Sequence, residues 1–303
     1  MIYEAHQITK SFPRSKFSLN VESITLPEGT ITGVVGENGN GKTTLLNIIA
    51  GELDSKGSFY FNGQPINEDT NWTEVKTHIA FIPQRIPRWY GSLIQNLKLK
   101  AALDGIPAEN IDDYLDEILE FLGLMEYKHL KWTEISTGYR LRFELARMLI
   151  GKPSLLVLDE PLANLDINTQ QKFLSDLRKI LKDKSYPTAV VLSSQQLHEI
   201  ETVANHMVFL KKGAAVFSGD IQSLESQDTY KVYEIQVPEV SKNEVLTHMK
   251  TQEFQITEAG EYIHIRIPNT LEDNHILKQL VELGVTVKYY RNITQSTKRL
   301  FNP

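Results

Sequence analysis

Cysteine is absent from the 303 residues, which excludes a disulfide framework and a thiolate metal site and fits a reducing compartment. No stretch approaches the roughly 18 consecutive apolar residues that cross a bilayer. Met1 to Lys16 mixes polar and apolar residues, so no secretory signal is visible and a cytosolic location is expected. Positive charge is also in deficit: 32 Lys and Arg against 38 Asp and Glu leave a formal charge of −6. There is thus no general electrostatic attraction to nucleic acid or anionic lipid. No nucleic-acid partner is expected, and any membrane connection must come through another protein.

What is present centres on Gly36-Glu37-Asn38-Gly39-Asn40-Gly41-Lys42-Thr43, which fits G-x-x-x-x-G-K-[ST], with Thr44 following. Ile31 to Val35 before it is short and β-branched, and Leu45, Leu46, Ile48 and Ile49 after it have helical spacing. A strand, a glycine turn and a helix start form a phosphate-binding loop, because glycines let backbone N–H groups face a polyphosphate at the positive end of a helix. Lys42 is expected to reach the β- and γ-phosphates and Thr43 to ligate Mg²⁺.

Residues 1–35 read as a small antiparallel sheet. Phe12, in its first turn, suits stacking on a nucleotide base and suits the core equally. Strand-like runs at 58–61 and 79–82 extend the sheet, and Gln84 closes the second, either at a site edge or in a solvated loop. From 93 to 150 the pattern turns helical, with Asn110 and Asp113 resembling an N-cap pair. Ser136 is a plausible cap for a helix through Leu149; that N-terminus can meet a second anion, although an ordinary capped helix is the preferred reading.

Leu155 to Leu158 is a continuous apolar strand ending in Asp159 and Glu160. In a doubly wound sheet the carboxyl ends of strands line the ligand crevice, which places both acids beside the phosphate loop. Asp159 can hold Mg²⁺ through its water shell, and Glu160 can orient and deprotonate an attacking water. A further strand, Ala189 to Leu192, ends in Ser193-Ser194-Gln195-Gln196 at the same edge. After Gly219 the order β-α-β-β-α-β suits a small ferredoxin-like domain with no catalytic constellation.

Over residues 1–218 the chain resembles the ATP-binding subunits of ABC transporters, with motifs in the family's order. These are Walker A (Gly36 to Thr43), the Q-loop Gln84, a helical subdomain over about 86–150, the signature Ser136-Thr137-Gly138, Walker B (Leu155 to Asp159), Glu160, and the D-loop Ala163 to Asp166. The resemblance implies an α/β P-loop NTPase core of ABC type with antiparallel β and α-helical subdomains, followed by a small α+β domain over 219–303. It implies ATP and Mg²⁺ as cofactors. The expected nucleotide contacts are Phe12, Gly36, Asn38, Gly39, Asn40, Gly41, Lys42, Thr43, Thr44, Ser136, Gly138 and Asp166; the expected metal contacts are Thr43, Gln84 and Asp159; and Glu160, Gln84 and Gln195 are the catalytic candidates. The implied partners are a second ATP-binding subunit, since there is one Walker A loop per chain, and a separate integral membrane permease, which would hold the chain peripheral to the inner membrane. An ending from Arg291-Asn292-Ile293-Thr294 through Phe301 resembles exporter-associated members, and export is the expected direction.

Two departures stand out. The signature carries Thr137 and Tyr139 where the family has L-S-G-G-Q, and the switch histidine aligns with Gln195, which brings no positive charge. His198, three residues on, is the weaker substitute, since helical residues three apart share a face but differ in reach. The rival expectation is therefore a nucleotide-gated clamp with weak or no hydrolysis alone. A soluble relative acting on ribosomes or DNA is disfavoured by the single ATP domain and the lack of a basic tract.

Overall fold

In the computed structural model the described residues are 1–66, 72–183, 188–221, 230–251 and 254–293. The chain divides into two units, Met1–Gly219 and Asp220–Pro303. The strands of the first unit are β1 (Tyr3–Ser11), β2 (Ser18–Leu26), β3 (Ile31–Val35), β4 (Lys56–Phe61), β5 (Gln64–Ile66), β6 (Ile79–Ile82), β7 (Leu155–Leu158), β8 (Ala189–Ser194), β9 (His206–Lys211) and β10 (Ala214–Asp220). They form one ten-stranded sheet in the order β5-β4-β1-β2-β10-β9-β3-β8-β7-β6.

The sheet has two characters. β9, β3, β8, β7 and β6 are parallel neighbours, and β3, β7 and β8 are buried along their whole length, as expected of strands covered on both faces. β1 pairs antiparallel with β2 and β4, and β4 with β5 across the Asn62-Gly63 turn. Register decides where the chemistry falls: Val35 pairs with Ser194, Leu158 with Leu192, and Ile82 with Leu158. The residues that follow these strands therefore emerge at one edge.

Helix α1 (Lys42–Ile49) buries Leu45, Leu46, Ile48 and Ile49 in a core shared with Ile8, Leu19, Val34, Val157 and Val191. Each such aliphatic side chain contributes roughly 1.5–3 kcal/mol on burial. After α2 (Trp72–Thr77), the helical region holds α3 (Leu93–Leu103), α4 (Ile111–Phe121) and α5 (Thr137–Leu149). Asn110 does not cap α4: the 3₁₀ turn Ala108–Asn110 runs straight into the helix, Asn110 has helical dihedrals, and its side chain makes no cap bond. A true capping box instead opens α3, where Ser92 and Gln95 exchange bonds of 3.0 and 3.4 Å. Helices α6 (Ile167–Lys182) and α7 (Leu197–Glu201) complete the unit.

Gly33, in mid-β3, marks a close helix approach. A Cβ there would lie 2.0 Å from Ile200 Cγ2 of α7, so Gly33→Ala forces α7 off the strand. The expected cost is about 1–3 kcal/mol, as for other overpacked cores, and it is read as a lowered melting temperature of the purified chain; an unchanged melting temperature would mean that α7 yields freely.

The second unit runs β11 (Tyr230–Gln236), α8 (Glu239–Thr251), β12 (Gln255–Ala259), β13 (Tyr262–Pro268), α9 (His275–Glu282) and β14 (Tyr289–Asn292). Its sheet order is β12-β13-β11-β14 with every neighbouring pair antiparallel. Tyr233, Ile235, Ile263, Ile265 and Ile267 pack with Val245, Met249, Ile276 and Leu280 of the helices. The terminal resemblance falls from Thr294 onward outside the described residues.

Candidate nucleotide-binding site

The loop from β3 to α1 is shaped by glycine. At Gly36 a Cβ would come within 2.5 Å of the Leu210 carbonyl, and at Gly41, with φ +101°, within 2.7 Å of Phe17 Cζ. Gly41 is the N-cap of α1 and brings no side-chain cap, so the first-turn N–H groups are left for an external acceptor. Lys42 is only 4% exposed. Its Nζ donates to the carbonyls of Gly36 (2.8 Å) and Glu37 (3.3 Å) and lies 3.2 Å from Glu160 Oε1.

The acids at the end of β7 are held from several strands. Thr43 Oγ1 donates to Asp159 Oδ2 at 2.8 Å, and Ser193 Oγ donates to Asp159 Oδ1 at 2.7 Å. Glu160 takes a left-handed backbone, φ +46°, which directs its carboxylate at Lys42. The Gln84 and Gln195 amides both donate to Glu160 Oε2, at 3.0 and 2.8 Å. A cavity of about 390 Å³ is lined by Phe17, Asn38, Gly39, Gly41, Lys42, Thr43, Thr44, Gln84 and Glu160, within the range of small-ligand sites.

Not every expected contact gathers there. Phe17, not Phe12, is the aromatic lining the cavity; Phe12 packs against it with ring centroids 6.3 Å apart. The Asn40 side chain is occupied elsewhere, accepting from the Lys212 N–H at 2.9 Å. Ser136 caps α5, accepting from the Tyr139 N–H at 3.3 Å. Asp166 caps α6: the Thr169 hydroxyl (2.6 Å) and backbone N–H (3.0 Å) hold its carboxyl below the usual range. Gly138 brings the two caps together, since a Cβ there would lie 2.1 Å from Thr169 Cγ2. None of Ser136, Gly138 and Asp166 lines the phosphate-loop cavity. Tyr139 stacks on Tyr127, centroids 4.3 Å apart, with a 2.8 Å bond between their hydroxyls. His198 falls in α7, and its side chain lies outside the described residues.

Two residues escape the sequence reading. Phe17 gives no signal beyond being an aromatic five residues past Phe12. Ser193 stands in the polar run that ends β8 and is buried there, but only the register of β8 against β7 shows that it bridges both acids.

A glycine-framed loop opening a helix, a buried lysine beneath it and paired acids at the adjacent strand tip define a P-loop nucleotide-binding protein. Residues 19–163 match the family model described as ABC transporter. The chain belongs to the ABC transporter family, as an ATP-binding subunit. It is 33% identical to the tungstate uptake system ATP-binding protein TupC of Peptoclostridium acidaminophilum, over 64% of this chain and 88% of that one. An uncharacterized ABC transporter ATP-binding protein of Bacillus subtilis, YxlF, is 26% identical over 97% of this chain and 96% of its own length. Among solved structures, cbiO1 from Clostridium perfringens, part of the ABC transporter complex cbiONQ, superposes with a TM-score of 0.68 at 21% identity, over 75% of this chain and 91% of that one. A dimeric ATP-binding cassette bound to ADP and phosphate gives 0.62 at 21% identity, over 72% and 98%. Among the described residues no helix is long and apolar enough to cross a membrane.

Proposed function

We propose that the chain binds ATP with Mg²⁺ and hydrolyses it to ADP and phosphate, and that it acts in the cytoplasm as a dimer with a second ATP-binding subunit, driving a separate integral membrane permease, in the direction of export. The observation that carries the catalytic part is the Glu160 carboxylate, fixed at the β7 tip beside Lys42. The residues fit the cofactors: the cavity of about 390 Å³ beside Gly39, Gly41, Lys42 and Thr43 leaves room for a polyphosphate, and the Thr43–Asp159 pair offers the oxygen donors that suit Mg²⁺. Among the described residues no group of three acids or histidines forms a complete metal site, so phosphate oxygens would have to share the ion. Bound Mg-ATP supplies the phosphoanhydride and a cation to polarise it. Lys42 neutralises phosphate charge, Glu160 orients a water and takes its proton, and Gln84 positions the Glu160 carboxylate.

That Ser136, Gly138 and Asp166 lie outside the chain's own cavity supports the dimer reading, in which they serve a nucleotide held by the partner. Export rests on the resemblance of the C-terminal appendage, with its ending from Arg291-Asn292-Ile293-Thr294 through Phe301, to exporter-associated members. The test of the central reading is steady-state ATP hydrolysis by the purified chain with Mg²⁺ and with EDTA; no magnesium-dependent release of phosphate, alone or with a permease, would overturn it.

A clamp with slow turnover is favoured by one feature: Glu160 is engaged by Lys42 on one oxygen and by two amides on the other, contacts that compete with a water for the carboxylate. Gln195→His replaces a neutral donor with one that can carry charge near a developing anion. The variant is expected to hydrolyse ATP about tenfold faster. A rate equal to the parent's would show that the missing charge does not limit turnover.

A further inference from the structure

Ser193 is fully buried and makes two bonds whose polarity is fixed by the partners. Its hydroxyl donates its one proton to Asp159 Oδ1 at 2.7 Å and accepts from the Glu160 N–H at 2.8 Å. Asp159 therefore has one oxygen engaged by a hydroxyl from β8 and the other by Thr43 from α1, which fixes its carboxylate plane. The Glu160 N–H is held at a residue whose positive φ is uncommon for a side chain other than glycine. One hydroxyl thus sets both the acid that would face the cation and the backbone that aims the acid that would face the water.

We propose that Ser193 is a positioning residue that couples the cation-binding acid to the general base. The proposal rests on the functional reading above. Without the hydroxyl, Asp159 Oδ1 loses its donor and the Glu160 N–H loses its acceptor at a buried position, a loss the backbone relieves by relaxing φ. Asp159 then rotates against Thr43 alone, and the Glu160 carboxylate drifts from the water position.

The test compares Ser193→Ala and Ser193→Thr in the full chain, by Mg²⁺ titration of equilibrium ATP binding and by kcat and KM for ATP. Ser193→Ala is expected to raise the Mg²⁺ concentration for half-maximal binding, and to lower kcat, each by about ten- to a hundredfold, with KM at saturating Mg²⁺ little changed. Ser193→Thr, which keeps the hydroxyl, is expected to restore the Mg²⁺ midpoint. If its methyl prevents folding, Ser193→Cys, close to serine in size and a weaker donor, is expected to fall between parent and alanine. A folded Ser193→Ala with a lower melting temperature but an unchanged Mg²⁺ midpoint and kcat would make the residue structural and overturn the proposal. If the parent hydrolyses nothing, the catalytic reading fails separately, and the Mg²⁺ midpoint of binding still decides the role of Ser193.

Discussion

Glu160→Gln is expected to lower ATP hydrolysis by at least about 100-fold while leaving ATP affinity equal to or tighter than the parent's. Glutamine keeps the shape of the side chain and can still meet the Gln84 and Gln195 amides, so the cavity is preserved. What is lost is the carboxylate that takes a proton from water. The second effect comes from the resting ion pair: Lys42 and Glu160 are 4% and 7% exposed at 3.2 Å, so in the parent a polyphosphate must compete with Glu160 for the ammonium. In the variant Lys42 keeps only two backbone carbonyls. An unpaired buried cation costs on the order of a few kcal/mol, so the nucleotide-free variant is expected to melt lower than the parent and to gain more on adding ATP, as mass action on the folded state requires. Hydrolysis within about threefold of the parent, against the 10²–10⁴ a general base provides, would remove Glu160 from that role. Weaker ATP binding would show that the Lys42–Glu160 pair organises the cradle instead of competing for it.

The parts legible in the sequence were those where one short stretch carries its own constraint. Gly36 to Thr43 declares a loop because glycine, lysine and hydroxyl sit at fixed offsets, and Leu155 to Glu160 declares a strand tip because four aliphatics end in two acids. The parallel core and the placement of Asp159 and Glu160 beside the phosphate loop, at Thr43 and Lys42 respectively, followed from those two segments. What the sequence left open is set by pairing between distant segments. Gln84 and Gln195 stand 111 positions apart, yet both meet one carboxylate oxygen because β6 and β8 flank β7. Phe12 and Phe17 are equivalent as letters, and only the approach of Phe17 to Gly41 selects between them. Asn40 sits inside the motif but answers to the β9–β10 turn through Lys212. Asn110 failed as a cap because a preceding 3₁₀ turn already supplies helical geometry, which capping-box spacing does not anticipate.

A third kind of constraint, invisible to any motif, is expected to be among the most costly to break. Arg142 and Asp176 are 3% and 1% exposed, joined Nε to Oδ2 at 2.6 Å, and the same guanidinium donates to the Leu122 carbonyl. One charged group therefore ties the end of α4, the middle of α5 and the middle of α6, fastening the helical region to the α/β core. Asp176→Ala leaves that guanidinium with one carbonyl acceptor and the Tyr139 ring 5.8 Å from its Cζ but no counter-charge, and the expected cost is about 3–5 kcal/mol, a fall of order 10 °C in the melting of the first unit at roughly 2–4 °C per kcal/mol. The apolar pair Arg142→Met with Asp176→Leu removes both charges, so it is expected to recover most of that loss. Stability and function then separate. Helix α5 opens at its Ser136 cap, and without the directional tie to α6 its first turn keeps only the Tyr139–Tyr127 and Arg140–Trp132 bonds, neither of which reaches α6. The double variant is thus expected to melt near the parent yet hydrolyse ATP more slowly. A double variant as unstable as Asp176→Ala would assign the cost to lost packing volume, and parental hydrolysis in a stable double variant would show that the ion pair holds the fold without aiming the signature helix.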